Sequence, residues 1–179
     1  EYMQRPQYSA DMIHQKALEW IDSQSDAKPF FGMLTYTLPH AELVGPTDSL
    51  YRSYEKTFRN SPDWKAYTGS RYHSTDNVHA HYAAMVTRLD QYVGEIIDLL
   101  ERKGLDKNTL IFFSSDNGPH QEGGGDPEFF NSNGGLKGIK RQTHEGGIRV
   151  PFIAYWPGTI SGGQVSEFPI IFYDIMPTL

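Results

Sequence analysis

Thr109-Leu110-Ile111-Phe112-Phe113-Ser114-Ser115 is an apolar run that ends on Asp116-Asn117-Gly118-Pro119-His120, and the fold is read outward from this junction. A short apolar run between turn signals reads as a buried strand. The residues after it place a carboxylate and an amide on the first turn beyond the strand. Upstream, Val78, Tyr82, Met85, Val86, Leu89, Val93, Ile96, Ile97 and Leu100 recur at helical spacing, so a long amphipathic helix follows a cap at Thr75 and stops at Gly104. Asp106 to Asn108 make the turn into the strand. Further upstream, Phe30 to Tyr36 is nearly continuously apolar, as in strands buried on both faces of a parallel sheet.

Strand, helix and strand make a βαβ unit with a right-handed crossover. Its two strands then end on the same edge, which puts His40, after Leu38-Pro39, beside Asp116 and Asn117. Open α/β sheets place ligands at such an edge. Arg149 to Trp156 reads as a third strand closed by Pro157-Gly158, and residues 118–147 are glycine-rich without apolar periodicity. Ser9 caps a first helix reaching about Ser23, with Ile13, Ala17, Trp20 and Ile21 on one face, and Asp26-Ala27-Lys28-Pro29 ends it. Residues 41–74 form a long irregular excursion with a helical turn near Leu50 to Lys56, and excursions of this length are often functional. At the end of the chain, Asp174 and Pro177 mark a helix that is just starting, as expected of a piece of a larger protein.

Composition narrows the function classes. With 179 residues, 38% hydrophobic and 21% charged, the chain has the makings of a folded core. A net charge of −6 and the lack of a basic stripe argue against a nucleic-acid partner. No run approaches the length of a membrane helix. The absence of cysteine excludes thiolate metal sites and a cysteine nucleophile within these residues.

Asp116 and Asn117 carry the oxygens that a hard cation such as Ca²⁺ prefers, although Asn-Gly is equally a turn dipeptide. Lys140 can hold an oxyanion as a point charge, or can be a solvated member of the Lys137, Lys140, Arg141 stretch. His40 has the titration range of an acid or base near neutral pH. His120 lies near these residues in sequence. His79 and His81, at i and i+2, point to different sides of a helix and are not a metal pair, and His14 and His73 carry no signal.

Taken together, several segments resemble the sulfatase family of the alkaline-phosphatase superfamily. They are Lys28-Pro29-Phe30-Phe31 with Pro39-His40, Tyr82-Ala83-Ala84-Met85-Val86 with Leu89-Asp90, Ser115-Asp116-Asn117-Gly118, Lys140 to Pro151 with Glu145-Gly146-Gly147, Tyr155-Trp156-Pro157-Gly158, and Asp174 to Leu179. The resemblance implies an α/β three-layer sandwich with a largely parallel central sheet, of which residues 1–179 form part of a single catalytic domain. It implies a sulfuric-ester hydrolase acting on an aryl or sugar sulfate. It assigns Asp116 and Asn117 to one divalent cation, usually Ca²⁺. Lys140 is matched to binding of a sulfate oxygen, His40 to substrate contact and protonation of the departing alcohol, and His120 is a candidate substrate contact. The family's nucleophile is a formylglycine made in a Cys/Ser-x-Pro-Ser/Ala-Arg motif, which this chain lacks along with the amino-terminal Asp pair. The expectation is therefore an internal fragment, inactive by itself, of a periplasmic, lysosomal or secreted parent. A phosphoryl hydrolase or transferase of the same superfamily and a non-catalytic cation-binding relative are the alternatives.

Overall fold

A computed structural model of the chain describes residues 7–59 and 65–179. Its centre is the long helix foreseen from the apolar stripe, with two shorter helices packed against it. These are α1 (Ser9–Asp22), α2 (Ser49–Phe58) and α3 (Val78–Arg102). The cap of α3 lies two residues beyond the expected Thr75. Asn77 is its cap, accepting from Ala80 N at 3.0 Å, while Thr75 exchanges backbone hydrogen bonds with Tyr67 at 2.8 and 3.0 Å. The α1 cap position is Tyr8 with no side-chain bond, so Ser9 is the first helical residue instead. At the far end of α3, Gly104 takes a positive φ and lets Leu105 N return to Leu100 O at 2.9 Å.

The core sits between α1, α3 and the chain around Leu38 and Leu43. Ala10, Leu38, Leu43, Val78, Met85 and Tyr92 form one buried cluster, and Ile21, Leu99, Leu100 and Leu105 form a second at the other end of α3. Polar groups tie the layers together. Arg88 on α3 pairs with Asp11 of α1 at 3.1 Å and with Asp48, whose side chain also caps α2 by accepting from Tyr51 N at 3.1 Å. His14, silent in the sequence, is a core cross-link. Its ring stacks on Tyr92 at 4.1 Å, with Nδ1 2.7 Å from Tyr36 Oη and Nε2 3.1 Å from Glu95. Burial pushes the Tyr36 hydroxyl up to about 12, so it remains a neutral partner in that bond.

His79 and His81 diverge as their spacing demands. His79 stacks flat on Phe129 at 3.8 Å, whereas His81 stacks on Tyr51 of α2 at 4.3 Å.

The sheet departs from expectation. β1 (Ile111–Ser114) and β2 (Phe152–Tyr155) pair antiparallel, with Phe112 opposite Ala154 and Ser114 opposite Phe152. Phe30 to Tyr36 forms no strand, so no parallel pair exists among the described residues. The reason is physical: a strand needs a ladder partner, and a run apolar on both faces needs cover on both. Phe30 meets Trp20 edge-on at 5.8 Å, but Phe31 and Met33 stay 71% and 76% exposed. A connection that folds back on itself brings β2 home antiparallel without a crossover.

That connection, residues 115–151, leaves and re-enters at the carboxyl end of β1, and it is closed by a backbone seam. Gly118 N donates to Gly147 O at 3.0 Å, and Lys140 N donates to Pro119 O at 2.8 Å. Gly146 and Gly147 are the middle residues of the one-turn helix α4 (Glu145–Ile148), which precedes β2. The approach tolerates no side chains: a Cβ on Gly118 would collide with the Gly146 carbonyl, and one on Gly146 with the Gly138 carbonyl. A last short helix, α5 (Ile175–Thr178), follows a turn that Asp174 closes by accepting from Ile171 N at 2.9 Å rather than by capping α5.

Two outcomes are expected. Gly118→Ala should lower the unfolding free energy by about 2 kcal/mol or more in urea titration, because backbone must move to admit the methyl group. His81 is held neutral by burial, which drives its pKa down to about 4 against the opposing carboxylates of Asp76 and Glu55. Its contribution is thus intact above pH 6.5 and lost as pH falls from 6.5 towards 4, where the unfolded chain gains a proton that the folded one refuses. Between pH 7 and pH 5 this costs about 2 kcal/mol, and His81→Phe, which keeps the stack on Tyr51, should flatten the loss in urea titrations at the two pH values.

Candidate functional site

The seam gathers the candidate residues at the carboxyl end of β1. Asp116 and Asn117 leave the strand there, and Ser115 holds the turn by donating its hydroxyl to Asn117 O at 3.0 Å. Asp116 is exposed and has no ion-pair or hydrogen-bond partner among the described residues. Asn117 donates its amide to Gly118 O at 2.9 Å, which leaves Oδ1 as the atom that can face a cation. Both are oxygen donors of the kind Ca²⁺ takes. They fit such an ion in chemistry but not in number, since no three His, Asp or Glu side chains among the described residues converge to hold a metal.

Lys140 is tied to the same turn by its backbone bond to Pro119. Its side chain is half-buried and makes no ion pair or hydrogen bond among the described residues. A half-buried ammonium without a counter-charge favours an incoming anion. The solvated-lysine alternative fits Lys137 better, which is exposed.

His40 enters from the other side. Its Nδ1 lies 2.7 Å from Ala41 O, and because a carbonyl only accepts, Nδ1 carries hydrogen and Nε2 is the atom free to take or give a proton. His40 is exposed and stacks on His120, ring centroids 5.3 Å apart and planes inclined by 27°. His120 itself is only 8% exposed, and its Nε2 lies 3.1 Å from Pro39 O. The structure thus brings His40, His120, Lys140 and the Asp116-Asn117 turn together, although β1 and the run before His40 do not pair. Burial lowers the His120 pKa, opposed by the bond to Pro39 and reinforced by the charges of His40, Lys140 and Arg141.

Two members of this region carried no signal in the sequence. Glu122, 10% exposed at its side chain, faces His120 Nδ1 at 3.2 Å and pairs through its other oxygen with Arg141. A single glutamate in a run of glycines reads as a loop residue, and only the fold turns it inward. His73, similarly silent, braces the chain after His40 by meeting Glu42 at 2.5 Å.

The family model described as Sulfatase matches residues 1–179. The arylsulfatase of Klebsiella aerogenes is 25% identical over 231 residues, covering 96% of this chain and 50% of its own, and the steryl-sulfatase of Rattus norvegicus is 40% identical over 105 residues, covering 58% and 18%. The crystal structure of Ps i-CgsB in complex with k-i-k-neocarrahexaose is similar at a TM-score of 0.61 and 31% identity, covering 87% of this chain and 29% of that one. For the PsFucS1 sulfatase from Pseudoalteromonas sp. the TM-score is 0.60 at 28% identity, with 87% and 26% covered. This chain spans half or less of the length of each of these relatives. Among the described residues no helix is long and apolar enough to cross a membrane. Matched by the family model from end to end, the chain belongs to the sulfatase family.

Proposed function

We propose that the protein carrying this chain hydrolyses sulfate esters of aryl or sugar alcohols and that residues 1–179 supply one half of its site within a single catalytic domain. The observation that carries this reading is the unpartnered Lys140 ammonium, on a segment whose backbone is bonded to the turn after Asp116 and Asn117, together with the free Nε2 of His40. In it, Lys140 binds an oxygen of the sulfuryl group, offsetting charge that grows during transfer. His40 gives its Nε2 proton to the departing alcohol oxygen. Asp116 and Asn117 hold one divalent cation, Ca²⁺ by donor type, which supplies Lewis-acid polarisation of the sulfuryl oxygens when bound.

The remaining metal ligands and the nucleophile, a formylglycine in this reading, come from outside these residues, because the chain has no cysteine and no Ser-x-Pro-x-Arg. The same reading completes the three-layer sandwich, giving Phe30 to Tyr36 the parallel neighbours it lacks among the described residues. The relatives span both substrate kinds by name, the arylsulfatase of Klebsiella aerogenes on one side and N-acetylgalactosamine-6-sulfatase of Rattus norvegicus on the other. His120, buried beneath His40, leaves substrate contact to His40 and Lys140.

In the full-length protein, Lys140→Ala should reduce turnover of 4-nitrophenyl sulfate by about 100-fold or more. Chelator should abolish turnover and added Ca²⁺ restore it. Full activity of Asp116→Ala would remove the cation assignment.

A further inference from the structure

We propose that His120, clamped from behind by Glu122 and Arg141, is a positioning residue that sets the place and tilt of His40. The inference rests on His40 acting as the acid in the hydrolase reading, and it gives the buried histidine a task distinct from touching substrate.

Three contacts carry it. The Pro39 carbonyl, one residue before His40, accepts from His120 Nε2 at 3.1 Å, so the hydrogen bond fixes the backbone from which His40 projects. The two imidazole rings form an offset stack at 5.3 Å, so His120 also flanks the His40 ring. The third contact orients His120 itself. With Nε2 committed as donor, Nδ1 faces a Glu122 oxygen at 3.2 Å in a site closed to water. The ring edge packs against the carboxylate there without a hydrogen bond between them. Arg141 pairs with the other Glu122 oxygen and keeps the carboxylate turned inward.

The charged and titratable groups around His120 are therefore Glu122 with its partner Arg141, Lys140 and His40. Around them the glycines remove side-chain bulk. A Cβ on Gly125 would strike the His120 carbonyl, and one on Gly123 would press on Ala41, next to His40. The glycine run after His120 thus allows the loop to fold close under the histidine pair.

The test compares two esters in the full-length protein. Phenyl sulfate needs an acid for its leaving group far more than 4-nitrophenyl sulfate does, so a displaced His40 should tell them apart. His120→Phe keeps a flat ring and removes the donor to Pro39. It should lower kcat on phenyl sulfate by roughly tenfold, the scale of one lost buried hydrogen bond, with under about twofold change on 4-nitrophenyl sulfate and little change in KM. His120→Gln, which keeps an N–H donor, should recover part of the loss. Glu122→Gln should show the same leaving-group dependence more weakly and serves if His120→Phe does not fold. Equal losses on both esters without rescue, or no loss on either, would overturn the proposal.

If the unaltered protein turns over neither ester, the hydrolase reading fails instead, and nuclear magnetic resonance decides the geometry. A solvent-protected imidazole N–H resonance that disappears in His120→Phe supports the bond to Pro39, and its absence from the unaltered protein refutes it.

Discussion

The turn after β1 and the helix before β2 lie backbone against backbone, and only residues without side chains permit it. Gly118 approaches Gly146 so closely that no Cβ fits, and the reward is a pair of hydrogen bonds, Gly118 N to Gly147 O and Lys140 N to Pro119 O. This seam folds a 37-residue connection back on itself, returns the chain to pair β2 with β1, and carries Lys140 to the turn that presents Asp116 and Asn117. Its neighbouring groups are polar and unneutralised, an arrangement that costs stability in a folded chain and is characteristic of sites built for a charged ligand.

The seam accounts for one side of the site, and His120 joins it to the other. The chain bearing His40 arises from the core around Leu38 and Leu43, which is packed on α3 rather than on the sheet. Without a ladder between residues 30–36 and β1, the contact at the site itself is His120 donating to Pro39 and stacking on His40, while Ile111 and Phe30 meet on the Leu99 cluster and Phe129 stacks on His79 of α3. The helical layer beneath is held more firmly, by Arg88 across α1 and α2 and by His14 between Tyr36, Tyr92 and Glu95.

What could be read in the sequence follows the range of each interaction. The stripe from Val78 to Leu100 announced α3 because helical periodicity is a local property, and its caps moved by only a few residues. The apolar runs at 111–114 and 152–155 announced strands, since each is a short apolar stretch between turn signals. Their orientation was not legible, because parallel or antiparallel pairing depends on how residues 115–151 turn, which the glycines permit but do not dictate. Phe30 to Tyr36 misled for a related reason: its composition reports burial on two faces, yet a ladder needs a partner that the described residues do not contain. Asp116, Asn117, Lys140 and His40 were legible as chemical types, and the family resemblance proposes them as a set. Glu122 and Arg141 were not, because nothing in their neighbours distinguishes a loop glutamate from one turned inward beneath a histidine.

Native-state hydrogen exchange at the Gly118 and Lys140 amides tests most directly whether the glycine seam assembles the site. Both donate across the seam to carbonyls nearly thirty or more than twenty residues away, so in the full-length protein they should be protected far beyond ordinary loop amides such as Gly162 and Gly163, and should open together as one unit. Exchange of Gly118 and Lys140 at the rate of those loop amides would contradict the account, because the turn bearing Asp116 and the segment bearing Lys140 would then be held together by nothing the structure contains.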